Sequence, residues 1–358
     1  MYLHGLPNET APDNFTLKML EDKRIWTALP IVYSLVFLIS VPGNCISLWI
    51  LIRHSKPITS SVILMINLSI TDLALAVFLP FQIIYNFKKN HWIFGEALCS
   101  VVTIMFYANM YCTILTIMLI SVERYIGIVH PMKAIMWRRK RYAAGAIIII
   151  WVLLLIAFIP MESTDLTYKV KHLNTTTCFD VLKWNMLPSI LWWAIFIIGL
   201  FVFLFLIPSF VIVVCYIRII RTLIRTSNKH GAGTERRSIK LAIFVLIVFI
   251  TCFAPNNFIL LFHTIVRLFY SKSYYHAYKL TLTLSCLSSC LDPFLYYFAC
   301  KDFRKKASEL WNRRSRRECF EMRRESLFSA MTFSSGHGDD LQNGNNHQNT
   351  SDHPKNDM

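Results

Sequence analysis

The chain has 358 residues, 55% of them hydrophobic, with a mean hydropathy of +0.45 and a formal net charge of +16. Charged residues make up only 16%, against roughly 25% in soluble domains, and they cluster between long apolar runs, which excludes an ordinary soluble domain. The basic excess does not signify nucleic acid, because 26 of the 37 Lys and Arg fall in segments assigned below to one side of a membrane.

Residues 1–24 are polar and carry the sequons Asn8-Glu9-Thr10 and Asn14-Phe15-Thr16. No secretory signal is visible, and the first apolar run is too long for one. Apolar runs of membrane-spanning length follow at about 25–53, 60–86, 96–129, 141–160, 188–225, 236–266 and 274–300. Seven spans place the two termini on opposite sides. The basic clusters Arg53 to Lys56, Lys133 to Arg141 and Arg218 to Lys240 alternate with poorly basic loops, so the N-terminus is expected outside at the plasma membrane. Basic groups on the inner face also favour anionic membrane lipid. A third sequon, Asn174-Thr175-Thr176, falls in an outer loop.

Trp92, Trp151, Trp184, Trp192 and Trp193 include candidate interfacial anchors. Pro42, Pro80, Pro160, Pro208, Pro255 and Pro293 lie within or at the ends of spans, where proline frees carbonyls and sets hinges. Residues 301–312 put Phe303, Ala307, Leu310 and Trp311 on one helical face and basic residues on the other, predicting a short amphipathic helix on the inner leaflet. Residues 313–358 read as a cytoplasmic tail, with its Gly-, Asn-, Ser- and His-rich end from about 331 expected to be disordered. Cys319 is a candidate for palmitoylation or a plain thiol, and Ser326, after Arg323-Arg324-Glu325, a candidate phosphorylation site or part of an ordinary basic tail.

The ten Cys are too scattered for a disulfide scaffold or a zinc site. Cys99 and Cys178 alone fall at the predicted outer surface, where oxidation is allowed.

Ionisable groups inside spans are costly and therefore candidates for function. Asp72 lies mid-span, and Ser285, Ser289, Asp292 and Tyr296 fall on one helical stripe. Asn44 and Asn109 sit at matching depth. These residues predict a polar core that either holds a sodium ion at Asp72, as a possible allosteric ion, or only joins helices. No other cofactor is expected.

Gly43-Asn44, Leu68 to Asp72, Trp92-x-Phe94-Gly95, Cys99, Glu123-Arg124-Tyr125, Trp151, Pro208 with Tyr216, Phe249 with Cys252 to Pro255, and Asp292-Pro293-x-x-Tyr296 occur in order, one set per span. The ordered set resembles the class A, rhodopsin-like G-protein-coupled receptors. The resemblance covers about residues 25–312. It implies an all-α seven-helix bundle, an outward ligand pocket and an inner heterotrimeric G-protein site, with arrestin and receptor kinase acting at the tail. It pairs Cys99 with Cys178. It makes Glu123, Arg124 and Tyr125 a switch, with Glu123 holding Arg124 at rest. Tyr216, Phe249, Phe253, Pro255, Pro293 and Tyr296 complete that switch. Phe253, where most such receptors have Trp, and Asp292, where most have Asn, are similar to the purinoceptor-like branch.

Phe106 stands where amine receptors carry an acid, and Cys286 where opsins carry a lysine. His263 and Arg267 on the sixth span, Lys279 with Tyr275 and Tyr278 on the seventh, Lys183 in the second outer loop, and Tyr107 and Tyr111 on the third suit an anionic ligand with an apolar body. The alternative is that the cations only snorkel. Asn256 and Asn257 belong to the same expected wall; Asn257 and Leu260 stand where nucleotide receptors carry cations. A nucleotide-like ligand is the first expectation, an acidic lipid or lipid conjugate the second. No inverted repeat supports a transporter, and no nucleophile–base set supports an enzyme.

Overall fold

A computed structural model describes residues 17, 20–55, 57–132, 134, 139–170, 173–179, 190–230, 233–270, 275–300 and 303–309. The first four spans are single helices: α1 (Lys23–His54), α2 (Ser60–Phe87), α3 (Glu96–Val129) and α4 (Lys140–Glu162). Their starts follow local chemistry. Asp22 accepts from Arg24 N at 2.9 Å, and Thr59 Oγ1 from Val62 N at 3.4 Å. Gly95, with φ +84°, makes the sharp entry into α3.

The fifth span runs through α5 (Ile190–Leu200), a π-helical turn (Phe201–Leu206) and α6 (Ile207–His230). The sixth runs through α7 (Gly233–Val248), a π turn (Phe249–Phe253) and α8 (Ala254–Tyr270). Each π turn stands just before a proline, Pro208 or Pro255. The proline lacks an N–H and its ring crowds the preceding turn, so the backbone widens by one residue there. Both spans run past their predicted inner ends of 225 and 236, because apolarity marks the part in lipid and not the end of a helix. The seventh span is α9 (Tyr275–Cys286) and α10 (Ser288–Ala299), separated by a turn at Leu287. Among the described residues six helices are long and apolar enough to cross a membrane. The seventh is divided by that turn into two helices of 12 residues each.

Apolar side chains cover the outside: Ile148, Leu155, Phe203 and Phe210 are 64–71% exposed. Asn44, Asp72, Asn109 and Asp292 are 0–3% exposed. This inside-out pattern suits lipid as the surrounding solvent. The third span is the hub, with 19 of its 34 residues buried, whereas the fourth buries five of 23 and lies at the rim.

The loop after α4 forms a hairpin that the sequence reading did not anticipate. β1 (Thr167–Val170) pairs antiparallel with β2 (Thr175–Cys178), Thr167 opposite Cys178. Asn174, exposed at its turn with φ +47°, is the sequon residue. A helical stretch covers 303–309, within the expected 301–312. Phe303 packs edge-on against Tyr296, at 6.0 Å. Within that stretch Lys306 pairs with Glu309 at 3.2 Å.

Candidate functional site

One end of the bundle is built around the hairpin. A disulfide joins Cys99 at the top of the third span to Cys178 of β2. Trp92 donates its backbone N–H to Thr176 O and its indole N–H to Gly95 O, both at 2.7 Å. One tryptophan thus fixes the loop, the hairpin and the start of the third span together. Cys178 N donates to the Tyr85 hydroxyl at 3.4 Å.

Beneath the hairpin lies a narrow cavity of about 30 Å³ lined by Tyr33, Gln82, Thr103, Phe106, Tyr107, Cys178, Phe179, Lys279 and Leu282. That volume admits about two waters. Lys279 is buried; its ammonium donates to Asn90 Oδ1 at 3.1 Å and stands 5.0 Å from the Tyr85 ring centroid. Asn90 reaches it from a left-handed turn residue, φ +59°. The Tyr107 and Tyr278 hydroxyls bond to each other, joining the third and seventh spans. Four aromatic rings share the wall with Gln82, Thr103, Cys178 and Leu282, with Tyr107 edge-on to Phe179 at 5.9 Å and Tyr33 edge-on to Phe106 at 6.1 Å. A cation set in an aromatic, largely apolar wall can hold an anionic group whose body is apolar.

Deeper in, polar side chains bond carbonyls of the sixth-span π turn. Ser285 Oγ donates to Cys252 O at 3.1 Å, across to the sixth-span π turn. Asn257 donates to Phe253 O at 2.9 Å and accepts from the Tyr111 hydroxyl at 3.2 Å. Asn256 approaches Met110 Sδ at 3.2 Å. Phe249 stacks on Phe205 at 6.0 Å and touches Phe253 at 5.8 Å, so the two π turns meet through aromatic rings.

At mid-depth Asn109 donates to Asp72 Oδ1 at 3.2 Å, and the Asp292 carboxyl is a neighbour of Asp72. Asn44 donates to Ser289 O at 2.9 Å. Ser289 offers this core its carbonyl, since its hydroxyl turns back to Cys286 O at 2.8 Å. Asp72 Oδ2, both Asp292 oxygens and Ser69 Oγ are buried in this core, and the two carboxyls face one another. Such an oxygen-rich, doubly acidic site suits a small hard cation or a shared proton.

At the opposite end of the bundle the Glu123 carboxylate, 8% exposed, accepts from Ser61 Oγ at 2.8 Å. Tyr216 is buried facing Ser121 and Arg124. Tyr125 points elsewhere, to His130 Nε2 at 3.2 Å. Tyr296 is fully buried.

The sequence model of the family described as "7 transmembrane receptor (rhodopsin family)" matches residues 43–296. This chain belongs to that family. The receptor is 61% identical to P2Y purinoceptor 8 of Gallus gallus, over 90% of each chain. It is 56% identical to the S-geranylgeranyl-glutathione receptor P2RY8 of Homo sapiens, over 92% of each. It is also 37% identical to human proteinase-activated receptor 2, over 82% of this chain and 74% of that one.

The receptor's cavity gathers Tyr107 and Lys279 from the expected ligand residues, with Tyr278 bonded behind them. Tyr111, Asn256 and Asn257 lie below, joining the third span to the sixth, and His263 is buried in the sixth. Lys183, Asn8, Asn14, Trp184, Cys319, Ser326 and the side chains of Arg267 and Tyr275 lie outside the described residues. Tyr33, Tyr85 and Asn90 escaped the sequence reading. Their one signal was a polar atom at the edge of an apolar run, which many snorkelling residues share. Two tryptophans change role: Trp151 donates to Asn67 Oδ1 at 3.1 Å as a helix joint, and Trp193 is buried, whereas Trp192 is exposed as an anchor would be.

Proposed function

We propose that this chain is a plasma-membrane G-protein-coupled receptor, N-terminus outside, for an anionic ligand with an apolar body. An acidic lipid or lipid conjugate fits best. The observation that carries the reading is Lys279, a buried cation at the wall of a largely aromatic and apolar cavity. The human relative's description as a receptor for S-geranylgeranyl-glutathione, an anionic peptide on an isoprenoid, supports the same ligand class. A nucleotide is the second reading, favoured by the purinoceptor description of the Gallus gallus relative. Against it, Asn257 and Leu260 bring an amide and an alkyl group where a phosphate needs cations.

The cavity is too small for either ligand, since drug-sized sites span about 300–1,000 Å³. Entry therefore parts Tyr107 from Tyr278 and moves the seventh span relative to the third. The motion passes through Ser285 to the sixth-span π turn and on to the Phe249–Phe205 stack. At the inner face Arg124, released from the Glu123 region, meets the G protein, with Tyr216 and Tyr296 as its new neighbours. Asp72 and Asp292 would hold a sodium ion, whose charge between the two carboxylates would favour the resting arrangement. Arrestin and a receptor kinase act at the tail.

The test is a G-protein dissociation reporter challenged with S-geranylgeranyl-glutathione, acidic lipids and extracellular nucleotides. A saturable response to the lipid conjugate, lost in Lys279→Ala and partly kept in Lys279→Arg, is expected. A response to nucleotides alone would replace the first reading with the second.

A further inference from the structure

His91 sits on the turn between the second and third spans and faces the hairpin. Thr176 of β2 uses both its backbone groups on this turn: its C=O accepts from Trp92 N at 2.7 Å, and its N–H donates to His91 Nδ1 at 3.0 Å. The second bond is conditional on chemistry. An imidazole nitrogen accepts only while it carries no proton; in the imidazolium both nitrogens are donors. Thr176 N–H and a protonated Nδ1–H would point at one another, and the contact becomes repulsive. His91 is partly exposed, so protons reach it.

We propose that His91 is a proton-operated latch on the β1–β2 hairpin: one proton taken from solvent onto Nδ1 breaks the Thr176 bond and loosens the cover of the cavity. The disulfide and the Trp92 bond still tether the strand, so the hairpin loosens about Cys178 without leaving. Phe179 and Cys178 line the cavity, which makes its wall the part that moves.

The charged groups around the latch, among the described residues, are Lys88 and Lys89 on its own turn, Lys169 opposite Thr176 on β1, Asp165 before β1, and Glu96 at the start of the third span. Lys88 O accepts from His91 N at 3.2 Å, and Asp165 is committed to Thr167, with its Oδ1 2.9 Å from the backbone N. Lysines and ordinary carboxylates keep their charge between about pH 5 and 8, where imidazole changes.

The latch stands on geometry alone; its effect on signalling rests on the ligand site proposed above. Two readouts separate them. Amide hydrogen exchange of residues 175–179 is measured on full-length receptor in nanodiscs at about pH 7.5 and about pH 5. The proteins are wild type, His91→Asn and His91→Leu. Asn presents a non-titrating oxygen near the place of Nδ1, and Leu presents no acceptor. Comparison at each pH cancels the intrinsic pH dependence of exchange. Wild type should match the Asn variant at the higher pH and the Leu variant at the lower. The acid-induced loss of protection at Thr176 should be about tenfold, in the range one hydrogen bond supplies. Equal protection in wild type and Asn at both pH values would overturn the latch, and so would full protection in Leu. Agonist response to S-geranylgeranyl-glutathione is recorded in parallel. An exchange change without a change in potency upholds the latch and counts against the cavity as the ligand site.

Discussion

The Asn44 side-chain amide donates to the Ser289 carbonyl at 2.9 Å, and Ser289 is the residue four before Pro293. In an unbroken helix that carbonyl would accept from residue 293, but proline has no N–H to give. The first span thus supplies the donor that the seventh lacks. The same Asn44 amide also reaches Ser40 O at 3.1 Å, which fixes its orientation. Asn44→Ala should leave the carbonyl unsatisfied in a water-poor interior. A loss of about 0.6–2 kcal/mol is expected for an interhelical bond of this kind. Thermal denaturation of the purified receptor would read it as a drop of several degrees, and an unchanged midpoint would mean that water replaces Asn44.

Gly43 lies beside this joint. A Cβ there would stand 3.2 Å from Pro293 Cγ, and the proline ring cannot rotate away. Gly43→Ala should therefore cost about 1–3 kcal/mol through overpacking, and Gly43→Leu should prevent assembly of the first span on the seventh. Surface expression with melting temperature separates the two grades. Equal behaviour of Ala and wild type would show that the seventh span shifts freely.

The polar core yields a prediction about an ion. Asp72 and Asp292 are buried neighbours, with acceptor oxygens directed inward. Asp72→Asn removes a charge while keeping the size and the Asn109 neighbour. Sodium should lower agonist affinity in the wild type, with the effect abolished in Asp72→Asn. By linkage an ion that favours the resting state must weaken the ligand that favours the other. Agonist binding with sodium exchanged for a bulky organic cation tests this; an identical sodium effect in both proteins would leave the core as helix joints alone.

These residues also show what a sequence can and cannot disclose. Asp72, Asn44 and Lys279 were legible because a polar or charged group in an apolar run must have a reason. The prolines were legible as kinks. Their form was not, because whether the backbone widens into a π turn depends on the facing helix, here on Ser285 and Phe205. Asn257 shows the same limit. It faces inward, as a ligand residue would, but Tyr111 and the Phe253 carbonyl already engage it. Rotation of one helix against another decides that, and spacing within one helix does not contain it. The hairpin was missed for a different reason. Two strands of four residues are too short to compete with the surrounding apolar signal, and β2 ends on Cys178, which is tied to Cys99 far away in the chain.

Arg124 lies near the opposite end of the third span from the cavity. Its neighbour Glu123 is 8% exposed and bonded to Ser61, so the acid is held on the second span side, while Arg124 lies toward Tyr216 of the fifth. Side chains placed between two anchoring sets are suited to a two-state element. Arg124→Ala should abolish G-protein activation and leave agonist binding within about threefold of wild type, because some 20 Å or more separates opposite ends of a bilayer-spanning helix. Ser61→Ala should act in the opposite direction. Releasing Glu123 from the second span weakens the resting arrangement, and basal signalling should rise. A reporter of G-protein dissociation without agonist reads the second variant, and radioligand binding with the same reporter reads the first. A normal signal in Arg124→Ala would exclude the inner-face switch and require another contact for the G protein.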